Sequence, residues 1–177
     1  MAKQATVANP RVANVVKQMA RKLQDDIAAL ARRRDAGPPK TFPQFREIRN
    51  MNMDIQGLFF SIEERIAEAG ELLPPNFPQW LVRQKLNTLA IFTDISHAFI
   101  GNPPLALTSS LGAFDVLLSE QKAFKEVLEY FDMMLFEAGI DDKTADELDA
   151  TRTKIEEVLV MIENLLDKSP KVLQEFD

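Results

Sequence analysis

The chain has 177 residues, no Cys, one His and a formal net charge of −6, from 27 acidic and 21 basic residues. Without Cys it cannot form a disulfide, an iron–sulfur cluster, a thiolate zinc site or a Cys nucleophile. Zinc sites and Ser-His-Asp catalysis would all depend on His97 alone, which argues against both. Apolar residues make up 46% of the chain, so we expect a folded domain over 1–177.

No run of about 18 apolar residues is present, so we predict no transmembrane segment. The first 24 residues contain bases and no acid, as organellar transit peptides do. They lack Ser, however, and their apolar pattern continues to Leu30, which favours a folded helix. We expect a protein that is not secreted and that is cytoplasmic or assembled into a particle.

Prolines divide the chain, because a proline inside a helix removes a hydrogen bond and clashes with the preceding turn. Three clusters, at 37–43, 73–78 and 101–104, each contain a Pro-Pro pair. Gly37 and Gly101 precede two of these clusters and fit the position just after a helix end. The stretches between the clusters are therefore predicted to be helices.

The first two segments, 10–35 and 43–72, have apolar residues at steps of three and four, the period of an α-helix. The third segment, 78–100, is apolar on most of its faces. Between Lys85 and Glu120 the only charged residues are Asp94 and Asp115. A helix of this kind belongs in the middle of a bundle, so we predict that 78–100 is the most buried helix.

The fourth predicted helix covers about 109–138 and ends before Gly139. The fifth opens at a capping box that begins with Thr144, and Ser169-Pro170 closes it. A short apolar tail follows at 170–177.

Short connections between helices favour antiparallel neighbours. The predicted fold is therefore all-α, an up-and-down helical bundle of about five helices. We expect the first helix, within 1–36, to be peripheral, because its linker is long and its charge is opposite to that of the remaining chain.

Asp94 and His97 lie three residues apart on one helix face, the spacing of half a carboxylate-bridged di-metal site. A complete site needs a second His, which the chain lacks, so a structural polar pair is the better interpretation. Acidic clusters such as Glu63-Glu64 lie opposite the apolar stripes and indicate solvated faces. We expect no catalytic residue, no metal and no cofactor.

Charge is unevenly distributed. Residues 1–49 hold 11 bases and 4 acids, a net of +7, whereas residues 50–177 have a net of −13. Three interpretations stay open: the basic helix packs on its own acidic bundle, it contacts another copy or subunit, or it binds a phosphate backbone or an anionic bilayer. The candidates for binding a polyanion or an acidic partner are Lys22, Arg32, Arg33, Arg34, Lys40, Arg46 and Arg49.

Two segments, 58–60 and 131–136, are apolar on more sides than one core needs. They are interpreted either as wide core stripes or as subunit interfaces, where Met and Phe are enriched. The interface candidates, including two from the tail, are Phe59, Phe60, Met133, Met134, Phe136, Leu173 and Phe176.

The predicted function is that of a non-catalytic α-helical structural or adaptor subunit of a larger assembly, such as a cytoplasmic complex or a phage or virion particle. Its expected partners are other protein subunits, in a homo- or hetero-oligomer. The alternative is a binder of nucleic acid or of an anionic membrane surface through 11–49. Against nucleic acid, no aromatic residue accompanies the basic run before Phe42.

Overall fold

The computed structural model describes residues 8–104, 112–139 and 142–168, with the side chains of 142–144, 147 and 168 left out. These residues form five α-helices and one 3₁₀ turn, with no strand among them. The helices are α1 (Pro10–Asp35), α2 (Phe42–Ala69), α3 (Phe77–Gly101), α4 (Ala113–Ala138) and α5 (Asp142–Lys168). The all-α bundle predicted from the sequence is confirmed.

Prolines mark the starts of the first three helices, as predicted, since a first-turn proline has no helical hydrogen bond to lose. Asn9 caps α1, its side chain accepting hydrogen bonds from the backbone of Arg11 at 3.0 Å and of Val12 at 3.4 Å. Thr41 caps α2 by accepting from the Gln44 backbone at 3.4 Å. Each cap satisfies an amide that the first helical turn leaves free.

α3 lies at the centre of the bundle and contacts each of the other four helices. Of its 25 residues, 11 are buried, against six of 26 in α1 and six of 26 in α4. α1 and α2 pack as an antiparallel hairpin, and α4 and α5 form a second hairpin against α3. The prediction that 78–100 forms the central, most buried helix is confirmed.

A column of phenylalanine rings joins three helices at the core. The Phe45 ring of α2 stacks on Phe99 of α3, with centroids 4.4 Å apart and planes 8° apart. Phe92 of α3 lies 6.3 Å from Phe45 and 6.2 Å from Phe124 of α4. Offset stacking contributes stabilisation beyond that from the apolar area these rings bury. The column therefore fixes how α2 and α4 pack on α3.

Two predicted helix ends need correction. Gly101 is the last helical residue of α3, not the residue after it, and Asn102 is the C-cap. A Cβ at Gly101 would lie 3.5 Å from the Met161 sulfur on α5, an ordinary van der Waals contact, so the packing there does not require a glycine. α5 begins at Asp142, which places Thr144 inside the first turn and not at the N-cap. The apolar stripe begins only at Leu148, so the sequence pattern does not determine at which earlier residue the helix starts.

Phe45→Ala is expected to lower the free energy of unfolding by about 3–5 kcal/mol, because it empties a site with no solvent exposure. Phe60→Ala, at a ring that is 62% exposed, should change it by about 0.5 kcal/mol or less. Urea unfolding followed by the helical circular-dichroism signal measures both. Similar losses in the two variants would contradict the described core.

Candidate functional site

A groove of about 540 Å³ separates α2 from α4. Its floor is α3, which contributes Leu89, Phe92 and the stem of Lys85. Phe124 and Val127 add apolar surface from α4. The groove exists because both helices pack on α3 and leave a gap between themselves, so part of the apolar surface of α3 faces solvent.

One end of the groove is closed by a buried ion pair between α2 and α4. The Arg49 Nε donates a hydrogen bond to Glu120 Oε1. The same guanidinium donates to Ser119 Oγ at 2.8 Å, and its Nη1 lies 3.1 Å from the Met53 sulfur. The side chains of Arg49 and Glu120 are only 16% and 6% exposed. This ion pair is the polar link across the groove.

Burial raises the pKa of the Glu120 carboxyl above its ordinary value of 4.5. The hydrogen bond and the positive charge of Arg49 act in the opposite direction and offset part of the effect. A carboxylate in this position depends on its one cationic partner, because little water reaches it.

Large apolar side chains continue the groove toward its other end. Met53 on α2 and Tyr130 on α4 line it and are 53% and 54% exposed. Phe60, seven residues after Met53, lies on the same face of α2 and is 62% exposed. Met133 is 51% exposed, and Met134 lines the groove. Three predicted interface residues, Phe60, Met133 and Met134, therefore lie on or beside one groove.

The remaining interface candidates lie elsewhere. Phe59 is 1% exposed and belongs to the core, with the Lys85 ammonium 5.8 Å from its ring centre. Phe59 is thus unavailable to a partner at the surface, which corrects that prediction. Phe136 is 88% exposed, but it follows Tyr130 by six residues and so points away from the groove. Leu173 and Phe176 lie outside the described residues.

The seven basic candidates do not form one patch. Arg33 pairs with Glu47 at 2.8 Å and Lys22 with Asp26 at 2.6 Å. Arg34 contacts Asp35 at 3.0 Å and Asp94 at 3.8 Å, while Arg49 is buried against Glu120. The candidates that are exposed and have no ion-pair partner among the described residues are Arg32, Lys40 and Arg46.

Asp94 and His97 both face α5. The Lys154 ammonium lies 2.6 Å from Asp94 Oδ1, and His97 Nε2 lies 2.7 Å from Glu157 Oε2. Each residue therefore links α3 to α5 by a polar contact. Within the described parts of the chain, no group of three or more His, Asp or Glu side chains is placed to hold a metal ion.

Sequence reasoning named Arg49 as a basic candidate but missed its pairing with Glu120. The two residues are 71 positions apart, and each falls in an ordinary helical segment. The charge-poor stretch between Lys85 and Glu120 indicated only where charged residues become frequent again. A search for isolated charges on the core-facing side of a predicted helix could have selected Glu120, since it shares that side with Leu117 and Phe124.

None of the helices, over the described ranges, combines the length and apolar character needed to cross a bilayer. No protein-family model matches the chain, and comparisons with curated proteins and with solved structures also give no match. The geometry of the groove is what bears on function.

Arg49→Met is expected to lower the free energy of unfolding by about 3 kcal/mol, because it leaves the Glu120 carboxylate buried without a partner. Glu120→Leu should cost a similar amount, whereas the double variant should lie within about 1 kcal/mol of the wild type. Urea unfolding of all four proteins gives the coupling energy. The exposed Arg33–Glu47 pair is the control, and it should give a coupling of about 1 kcal/mol or less. Additive losses at Arg49 and Glu120 would contradict the pairing.

Glu120→Gln tests the raised pKa. The folded protein holds the Glu120 proton more tightly than the unfolded chain does, so the carboxyl's contribution to stability is lost as pH rises from 4.5 through the raised pKa. The free energy of unfolding of the wild type, relative to that of Glu120→Gln, should therefore fall as pH rises from 4.5 through the raised pKa. Urea unfolding over a pH series measures the difference, and Ser119→Ala, which keeps both charges, should follow the wild-type profile. A difference that is flat or that rises with pH would refute the assignment.

Proposed function

We propose that the chain is a non-catalytic α-helical subunit or adaptor that acts through protein–protein contacts within a larger assembly, such as a cytoplasmic complex or a phage or virion particle. The groove between α2 and α4 carries this proposal. Its floor is the side of the central helix that α2 and α4 leave uncovered. A partner that covered it would bury apolar surface that the described residues leave in water.

The side chains around the groove support an interface. Met53, Phe60, Tyr130 and Met133 are each more than half exposed, and they are concentrated along two facing helices. Aromatic residues and Met are enriched in protein interfaces, and flexible Met side chains adapt to the surface of a partner. Single exposed apolar residues would need no explanation, but here Met53 and Tyr130 line one groove and Phe60 and Met133 lie beside it.

The charge distribution supports assembly with a fixed orientation. Only two ion pairs in the described residues join the basic segment 1–49 to the acidic remainder, through Arg34–Asp94 and Arg49–Glu120. Surfaces of opposite sign are therefore left at different places on the molecule. Such surfaces favour heterologous contacts with a defined direction.

A second candidate function, binding to a phosphate backbone, is supported by the outer face of α1. Arg11, Arg21 and Arg32 lie along that face, are exposed, and have no ion-pair partner among the described residues. Arg33, Arg34 and Arg49 are engaged by carboxylates of the chain itself, which leaves a narrow row of charge rather than a patch.

The native mass of the full chain, purified from its source cells, tests the main proposal. Light scattering is expected to give a mass above the 20.0 kDa of one chain, or a stable complex with a co-purifying protein. The double variant Phe60→Ser/Met133→Ser should lower that mass, because the serines remove apolar contacts at the groove. Phe136→Ser, an exposed phenylalanine away from the groove, is the matched control. A single-chain mass at every concentration, with nothing co-purifying, would refute the proposal.

The same purified protein tests the second candidate function, binding to a phosphate backbone. If phosphate binding is the function, affinity for random-sequence DNA should fall steeply as salt rises, and Arg21→Gln/Arg32→Gln should reduce the slope by about two. Absence of DNA binding at low salt would remove this candidate.

A further inference from the structure

The groove between α2 and α4 has the shape and charge to take one particular kind of partner. We infer that it receives a single amphipathic α-helix of another protein, with an apolar stripe in the groove and Lys or Arg residues beside that stripe. This inference rests on the proposed function and specifies its partner.

The helical form of the partner follows from the packing. α2 and α4 run in the same direction, because each is antiparallel to the α3 helix beneath them. Two helices side by side on a third leave a channel along their length, and a further helix can pack its ridges into that channel. From Arg49 to Phe60 the channel extends about 17 Å, at 1.5 Å per residue, which accommodates about three helical turns.

The pattern of apolar residues matches such a helix. Along α2, Met53 lines the groove, and Phe60 continues the same face seven residues later. Along α4, Val127 and Tyr130 line the groove, and Met133 lies beside it. A helix that offers apolar anchors at positions i, i+3 or i+4, and i+7 can contact both edges and reach Leu89 on the floor.

The charge of the partner follows from the carboxylates at the edges. Glu126 lines the groove, and Glu137 lies on the same side of α4, eleven residues later. On α2, Glu64 follows Phe60 by four residues and takes the corresponding place. These carboxylates are exposed, and α4 has no base after Lys125. Lys85, the cation of the floor, is already paired with Glu63 at 2.5 Å.

The closed end of the groove is electrically balanced, because Arg49 and Glu120 neutralise each other there. Toward the open end the charge is net negative: Glu137 has no ion-pair partner among the described residues, and Glu64 and Glu126 have only exposed partners on their own helices, Arg65 at 3.7 Å and Lys122 at 3.8 Å. Basic residues on a partner helix would be attracted to this end, and acidic ones repelled. The same carboxylates disfavour a nucleic acid or an anionic membrane in the groove.

A synthetic peptide tests the inference. The probe is a fluorescein-labelled helix of about 18 residues, made of Leu at helical spacing with Lys in the other positions. Its comparators are the same peptide with Glu in place of Lys and a scrambled Leu/Lys peptide that has no apolar stripe. Fluorescence anisotropy with the full-length protein should show binding of the Leu/Lys helix at least about tenfold tighter than that of either comparator.

Matched variants locate the binding. Phe60→Ser/Met133→Ser should weaken binding of the Leu/Lys helix by about tenfold or more, whereas Phe136→Ser should leave it unchanged. Glu126→Gln/Glu137→Gln should weaken binding of the Leu/Lys helix by about threefold or more. The same variant should reduce the ratio of its affinities for the Leu/Lys and Leu/Glu peptides. Asp149→Asn/Glu156→Gln removes the same charge from α5 and is the control. Circular dichroism and thermal unfolding confirm that each variant is folded.

The absence of Cys allows a direct positional test. A single thiol introduced by Gln56→Cys, in the groove, should attack a Leu/Lys peptide whose one Cys is activated as a mixed disulfide with thionitrobenzoate, forming the protein–peptide disulfide and releasing thionitrobenzoate. Gln18→Cys, on the exposed side of α1, should do so at least about tenfold more slowly, because the peptide is not held near it. Equal rates at the two positions would overturn the inference.

Other outcomes also overturn it. Equal affinity for the Leu/Lys and Leu/Glu peptides would refute a preference for a basic partner. An equal loss of peptide affinity in Phe136→Ser and in Phe60→Ser/Met133→Ser would refute binding at the groove. If light scattering shows a dimer that Phe60→Ser/Met133→Ser dissociates, and the peptide fails to displace the second chain, the occupant is another copy. The two proposals can fail separately. If the native assembly requires the groove but the Leu/Lys helix does not compete with the native partner, the proposed function stands and the inference of a basic, helical partner is refuted.

Discussion

The structure depends on one constraint, which is that α3 must bury apolar side chains around nearly its whole circumference. A helix of this kind is stable in water only when other helices enclose it. The α1–α2 hairpin and α4–α5 hairpin do so from two directions, and the stacked rings of Phe45, Phe92 and Phe124 hold α2 and α4 against it. Four helices do not close the ring completely. The gap between α2 and α4 leaves Lys85 and Leu89 of the central helix half-buried, so the groove is a consequence of the same packing that forms the core.

The Arg49–Glu120 pair is the polar exception within this packing. It joins α2 and α4 at one end of the groove, one helical turn after Phe45 along α2. A buried ion pair contributes little net stability compared with apolar residues of the same size, but losing one partner is costly. The pair therefore acts mainly on geometry: it fixes the separation and register of α2 and α4 at one end. Beyond Arg49, the described residues of α2 and α4 share no hydrogen bond or ion pair, and the two helices are held together through α3.

Charge and apolar surface occupy different parts of the molecule. The exposed arginines belong to α1, which does not line the groove, whereas Glu126 lines it and Glu64 and Glu137 lie on the same sides of α2 and α4. The exposed apolar side chains Met53, Phe60, Tyr130 and Met133 lie along or beside the groove, whereas others, such as Val15 on α1 and Val160 on α5, lie outside it. An apolar stripe with a border of one sign selects partners by orientation as well as by hydrophobic area, because a misaligned partner leaves its charges unpaired. The pair His97–Glu157 and the pair Asp94–Lys154 lie on the α5 side of α3 and serve packing of that hairpin.

The sequence by itself determined the helices, their approximate limits and the central place of α3, because proline position and apolar period act within one segment. It did not determine which apolar residues stay exposed. Phe59 and Phe60 are neighbours in one helix, yet one is 1% and the other 62% exposed, since successive side chains point about 100° apart and only the packed helices decide which direction is inside. It also did not determine the Arg49–Glu120 pair or the groove. Both arise where residues from separate segments meet on the surface of α3, and that meeting depends on how helices far apart in the chain pack together.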